Sequence, residues 1–239
     1  MPASAPSTIR VSDLTQWSQV CSDVFVPLRC SSVERTFSGA IRTVSAPRAA
    51  VTWLSTSSVT VERTPASTCG FADPTLLLML QLRGTSVVAQ HGRQATLAPG
   101  SAVLYDPQAP YRLDFPVDDQ ELIVVAFDRR GTGVHADDLK HQMATALEAS
   151  TPGVGSLLGL TSGLLHDSIG FPAGAVDLVS TLVGTMLGAM DPLLRDPQGA
   201  LVQRAKDYVR AHLDDPDLSV DALAGAMFVS PRALFQAFA

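Results

Sequence analysis

From residue 38 to residue 127 the apolar residues fall largely at every second position, in short runs broken by turn signals. A period of two sends successive side chains to opposite faces of an extended backbone, so each run reads as a strand with a buried face. The runs are 38–45, 49–55, 59–63, 76–83, 86–90, 94–97, 102–105, 111–115 and 121–127. Arg83-Gly84, His91-Gly92, Pro99-Gly100, Asp106-Pro107 and Pro116 separate the later ones. So many short strands at this spacing predict a sandwich or a barrel.

The flanks follow other rules. Residues 1–12 are rich in Pro, Ser and Ala and are expected to be a disordered N-terminus. Leu14, Trp17 and Cys21 recur at helical spacing and predict a helix over 13–24. Beyond Arg130 helical spacing returns, over 135–150, 154–167 and 173–190. The third of these is apolar on much of its surface (Val176, Leu178, Val179, Leu182, Val183, Met186, Leu187), and such a helix must be buried. Packing on the barrel and packing on a twin helix in a homodimer both satisfy that. The chain is thus divided into a sensor domain at 13–134, a helical dimerisation segment at 135–195, a linker at 196–200 and an all-α tail at 201–239, an α+β class. There is no internal repeat.

The tail has the clearest local chemistry. Leu201, Ala205, Tyr208, Val209 and Leu213 form one helical stripe, which Asp214-Asp215-Pro216 ends. Ser219 is an N-cap signal, with Asp221 in the first turn facing the positive end of the helix dipole. Leu218 and Leu223 can close a hydrophobic staple, and Ala222, Leu223, Ala226 and Met227 are expected to face inward. Ser230 is a second N-cap, followed by Pro231 at the first helical position. Leu234 and Phe238 should share a buried face, leaving Arg232, Phe235 and Gln236 pointing away. Arg and Gln make paired hydrogen bonds to guanine and adenine edges, and Phe can pack on a thymine methyl. An ordinary helical hairpin with a polar outer face fits the spacing as well.

Composition limits the alternatives. The net charge is −6, and the tail from Leu201 carries one more acidic than basic residue, so electrostatics alone does not hold this chain on nucleic acid. The cysteines Cys21, Cys30 and Cys69 are odd in number and lack metal spacing, which suggests free thiols in a reducing cytoplasm. No signal-peptide layout opens the chain, and the apolar run Leu76 to Leu80 is too short to span a bilayer. No G-x-S-x-G elbow, P-loop or H-E-x-x-H occurs. Gly153, Gly155 and Gly159 miss the dinucleotide spacing and read as a loop entering a helix.

The segment LSVDALAGAMFVSPRALFQAF resembles the first helix-turn-helix of AraC/XylS-type transcription regulators. Leu218, Ser219, Leu223, Ala224, Val229, Ser230, Arg232, Leu234 and Phe238 match the family pattern. The resemblance implies a DNA partner for the full-length protein. It makes Ser230 the cap and phosphate contact, and Arg232, Phe235 and Gln236 the base-facing positions. Phe228 departs from it, standing where many members have a turn glycine; a bulky residue in a left-handed turn costs roughly 1–2 kcal/mol. The family has two such units joined by a long helix, and the chain stops inside the first. By itself it is expected to bind DNA weakly or not at all.

Residues 78–116 resemble the cupin-like effector-binding domain of the same regulators, in Arg83-Gly84, Gln90, Gly92-Arg93, Leu97, Pro99-Gly100, Tyr105-Asp106 and Pro110-Tyr111. The stretch WSQVCSDVFVPL resembles the helix that opens such a domain. The implied fold is a cupin-like β-barrel or jelly roll, a helical dimerisation segment and a partial helix-turn-helix domain. The implied function is effector-responsive transcription regulation in a homodimer, without enzymatic activity or cofactor. Trp53, Tyr105 and Tyr111 are the candidate effector contacts, large residues with a polar handle on strands. Arg63 and Arg112 could pair with an acidic ligand, but a solvated surface position is expected for both. A cupin-fold metal enzyme is the rival, as is a dimerising regulator that does not bind DNA. The enzyme would need two histidines one residue apart, and His91, His135, His141, His166 and His212 make no such pair. His91 is expected in a hairpin turn, and no metal ligand is assigned.

Overall fold

The structure is a computed structural model. It describes residues 8–46, 49–68, 74–129, 142–166, 173–190, 201–202, 205–206, 208–210, 212–213, 215, 218–227 and 229–238. It divides into two compact units, Met1–Met186 and Leu187–Ala239.

The first unit is built on two antiparallel sheets. Sheet A has the order β1 (Thr8–Val11), β3 (Gly39–Ala46), β4 (Ala49–Thr56), β11 (Gln120–Asp128), β6 (Thr75–Arg83), β9 (Ala102–Tyr105) and β12 (Ala146–Leu147). Sheet B has the order β2 (Arg29–Ser31), β5 (Val59–Arg63), β10 (Tyr111–Phe115), β7 (Ser86–Gln90) and β8 (Arg93–Leu97). Leu54, Leu77, Met79, Val103, Leu122 and Val124 from A meet Val59, Val61, Val88, Leu97, Leu113 and Phe115 from B in one buried cluster. Two facing antiparallel layers with their apolar sides together are what the period-two reading requires.

Helix α1 (Leu14–Val24) closes on this cluster. Asp13 caps it by accepting from the Gln16 N–H at 2.9 Å, and Trp17 and Cys21, four residues apart, are its buried pair. Trp17 lies on Gly39: a Cβ there would sit 2.6 Å from its Cε3 atom, so any side chain at 39 would displace the indole. Between β5 and β6 lies a single short turn of helix, α2 (Pro65–Thr68).

Turn chemistry sets the register. Gln90 pairs with Arg93, leaving His91 (φ 52°) and Gly92 (φ 72°) as a two-residue loop with both φ angles positive, the I′ geometry that matches strand twist. His91 is therefore the turn residue its neighbours suggested. Gly84 (φ 76°) ends β6 where a Cβ would lie 2.4 Å from Gln120 Oε1. That Gln120 belongs to a buried amide network. Gln81 donates to Gln120 Oε1 at 3.0 Å and accepts from Ser86 Oγ at 2.7 Å, and Gln120 donates to the Val117 carbonyl at 3.0 Å. Each buried polar group so paired avoids a desolvation cost of about 1–3 kcal/mol.

Three expectations need correcting here. Residues 8–11, expected to be disordered, form β1 and pair with β3 from Thr8↔Arg42 to Val11↔Gly39. Within the expected helix at 135–150, residues 142–150 are not helical, and 135–141 lie outside the described residues. Ala146 and Leu147 instead pair with Val103 and Ala102 of β9, and the Met143 carbonyl accepts from Arg93 Nε at 2.8 Å. An open edge of sheet A and a half-buried guanidinium donor outweigh a helical preference in so short a stretch. Arg63 is the third and is taken up with the site.

Helix α3 (Val154–His166) agrees with the expected 154–167 and packs on β3 and β4. Helix α4 (Ala173–Met190) buries Val179, Val183, Met186 and Leu187 as one stripe and exposes Leu178, Thr181 and Thr185. The linker at 196–200 lies outside the described residues.

In the second unit, helical residues at 201–202, 205–206 and 208–210 pack with α5 (Val220–Ala226) and α6 (Pro231–Ala237). Their core is Leu201, Ala205, Leu223, Ala224 and Leu234. Ser219 accepts from the Ala222 N–H and Ser230 from the Ala233 N–H, both at 3.2 Å, as their sequence positions imply. Ala224, not the expected Ala222, joins the core. Leu213 (68% exposed) and Phe238 (51%) lie outside it, because each falls past the last regular turn of its helix. Phe228 lies outside the described residues.

Candidate functional site

The cluster between the sheets encloses a cavity of about 40 Å³. Sheet A contributes Leu54, Thr56, Met79, Tyr105, Leu122 and Val124, and sheet B contributes Val59, Val61, Tyr111, Leu113 and Phe115. The remaining wall is α1 and the chain just after it: Trp17, Cys21, Phe25 and Leu28. Nearly every lining group is apolar. A space of this size holds only one or two water-sized groups, so anything larger requires the wall to move. Open grooves of about 560 Å³ along β5, β10 and β7, and about 450 Å³ by Ser32 and Phe115, lie on the outside of sheet B. Of these three spaces the one between the sheets is the least open.

Of the sequence candidates, Tyr105 and Tyr111 come together here. Their rings meet edge to face with centroids 5.0 Å apart, both buried. Trp53 does not join them. Leu54 and Thr56 face the cavity, so Trp53, one position off, faces the other way, and its Nε1 donates to Glu121 Oε1 at 2.7 Å. Trp17 is the large aromatic that the residue-by-residue reading missed. Its helical spacing to Cys21 pointed inward without telling what it faced.

Arg63 is also elsewhere than expected. Its side chain is 1% exposed; Nε donates to the Pro107 carbonyl at 2.6 Å and Nη1 to the Pro27 carbonyl. It falls at the inward phase of β5 (Val59, Val61, Arg63), and the two loop carbonyls offset the desolvation that lowers its affinity for a proton. Arg112 does lie on the surface, paired with Glu62 and Asp114 at 2.7 and 2.8 Å. The Arg112 hydrogen bond holds the Asp114 carboxyl below the usual range.

Burial pushes both cavity phenols above their ordinary value near 10, with Arg63 partly opposing this at Tyr111. A phenol raised in the folded state contributes stability that is complete below the unfolded pKa. It is lost as pH rises from there toward the folded pKa. Stability is therefore expected to fall above about pH 10, by about 1.4 kcal/mol per pH unit for each buried phenol. Tyr111→Phe should remove one phenol's share of that slope in urea unfolding at pH 9, 10 and 11. Parallel slopes for the two proteins would refute it.

In the second unit Ser230, Arg232, Phe235 and Gln236 are all exposed, Phe235 by 64%. Ser230 caps α6, and Arg232, Phe235 and Gln236 lie on it. Among the described residues, no group of three or more His, Cys, Asp or Glu is placed to hold a metal ion, and no helix is long and apolar enough to cross a membrane.

Known proteins resemble this chain over most of its length. An uncharacterized protein in the nit 5′ region of Bacillus sp. (strain OxB-1) is 26% identical over 230 residues, 90% of this chain and 87% of that protein. The transcriptional activator NphR of Rhodococcus sp. is 26% identical over 191 residues, 75% of this chain but 56% of the activator. The crystal structure of the AraC-like transcriptional activator CuxR superposes with a TM-score of 0.65 at 16% identity, covering 97% of this chain and 88% of that one. At that identity the likeness is one of fold. The pattern of the AraC-binding-like domain matches residues 17–190, from the buried Trp17 through both sheets to the end of α4, and the chain belongs to that family.

Proposed function

We propose that this protein is an effector-responsive transcription regulator of AraC/XylS type. The cavity between the sheets takes a small, largely apolar effector, helices α3 and α4 carry a homodimer contact, and α5 and α6 form a helix-turn-helix that reads DNA. The enclosed apolar cavity with Tyr105 and Tyr111 in its wall, in a chain of the AraC-binding-like family, carries this reading. The names of NphR and CuxR, both transcriptional activators, support it. Effector entry displaces the α1 wall, because the two sheets are tied to each other by turns while α1 is held by side chains. Such a displacement is the physical event that a regulator can pass on to DNA binding.

The test is selection from random DNA with protein made from the whole reading frame. Enrichment of one motif is expected; recovery of unrelated sequences at every salt concentration would defeat the proposal. Within an enriched motif, Arg232→Ala should cost about 1–3 kcal/mol at one base position and relax preference there. An unchanged binding profile would remove Arg232 from the reading face.

A further inference from the structure

Two cysteines lie at and beside the cavity wall. Cys21, on α1, is buried, and Cys30, on β2, is half-buried. Cys21 belongs to the buried cluster that Cys30 packs against, and each thiol shifts the titration of the other. The elements that carry them are clamped on either side. Ser18 Oγ accepts the Cys30 N–H at 3.2 Å, and Ser22 Oγ accepts the Leu28 N–H at 3.2 Å. Ser18, Cys21 and Ser22 share one face of α1, so Cys21 stands between the two side chains that hold this face to Leu28 and Cys30.

We infer that Cys21 and Cys30 are an oxidation-responsive pair, which a hydroperoxide converts to a disulfide that fastens α1 to β2 across the cavity wall. Two cysteines held at one clamped junction of neighbouring elements reach disulfide geometry with small side-chain rotations. The roles divide by environment. The neighbouring Cys21 and Ser18 favour the thiolate on Cys30, the more exposed of the two, while the neighbouring Cys30 and burial keep Cys21 protonated. The Cys30 thiolate attacks the peroxide: an S–O bond forms, the O–O bond breaks, and the departing oxygen takes up a proton. The Cys21 sulfur then attacks the Cys30 sulfenic acid. The S–S bond forms, the S–O bond breaks, and hydroxide leaves with the Cys21 proton as water. Two thiols are oxidised by two electrons and the peroxide is reduced by two.

Cys21 lines the cavity beside Trp17, Phe25 and Leu28, so the bond fixes the wall that an entering molecule must displace. That consequence rests on the effector reading above; the sulfur chemistry does not.

The experiment treats the full chain with hydrogen peroxide, blocks remaining thiols with N-ethylmaleimide and digests with trypsin. Cleavage after Arg29 places the two cysteines on separate peptides, 11–29 and 30–35. They are expected to appear as one disulfide-linked species that dithiothreitol splits. The melting midpoint should rise by roughly 4–10 °C on oxidation and fall back on reduction. With Cys21→Ser, dimedone should trap a sulfenic acid at Cys30; with Cys30→Ser, peroxide should leave Cys21 open to maleimide after unfolding. Full maleimide labelling of both thiols after peroxide, or a link to Cys69 instead, would overturn the inference. So would an unchanged midpoint in cross-linked protein. None of these readouts needs an effector, so the failure of either idea leaves the other standing.

Discussion

Trp17→Ala is expected to lower the free energy of unfolding by about 3–5 kcal/mol, the range for removing a fully buried large aromatic. The indole is 2% exposed, packs at 5.7 Å between centroids on Phe37 and rests on Gly39 with no room for a side chain. Alanine leaves that space unfilled because the two sheets, fixed by their hydrogen bonds, cannot collapse into it. The existing cavity of about 40 Å³ should merge with the vacated volume. An apolar void of such size accepts benzene, so benzene should raise the variant's melting midpoint and leave the wild type unchanged. Urea unfolding measures the first effect and calorimetry the second. A loss below about 1 kcal/mol would mean that α1 is not a structural wall of the barrel.

Arg63→Met is expected to cost about 2–4 kcal/mol, since each hydrogen bond from a charged group contributes about 1.5–3 kcal/mol before relaxation. Methionine keeps most of the apolar stem and loses the donors to Pro27 and Pro107. Those carbonyls belong to different connections, one after α1 and one between β9 and β10. The variant should therefore loosen both, and amide exchange should speed up at residues 25–29 and 106–110 together. Arg63→Lys should recover only part of the loss, because one ammonium cannot reproduce the planar fork. Stability within about 0.5 kcal/mol of wild type in Arg63→Met would show the two carbonyls to be satisfied without Arg63.

The strands were legible because alternation is a local signal. Val59, Val61, Leu113 and Phe115 announce their face within five residues, and the turns at His91-Gly92 and Arg83-Gly84 announce the breaks. The elements that escaped, β1, β2 and β12, are two to four residues long, too short to show a period; they exist because a neighbouring edge accepts them. Arg63 shows the other limit. Its position in the alternation said inward and its charge said outward, and the carbonyls that resolve the conflict lie 36 and 44 residues away. Trp53 was misplaced for neglecting the same alternation, one step from Leu54. The Cys21–Cys30 contact depends on how the chain turns between α1 and β2, which no spacing encodes. Tyr105 and Tyr111 were picked out as amphipathic aromatics, and only the pairing of the sheets brings their rings together.

β11 lies between β4 and β6 in sheet A, although it is the last of the three to be made. On a ribosome adding about 5–20 residues per second, β6 waits roughly 2–7 s for its central partner. Throughout that interval the sequence TLLLMLQLR offers a β-prone edge whose single charge, Arg83, stands at its end. Nascent chains can then pair with one another instead of with their own residues 120–128. Yield in a heterologous host should consequently depend on synthesis rate and on holding chaperones more than on the stability of the finished barrel.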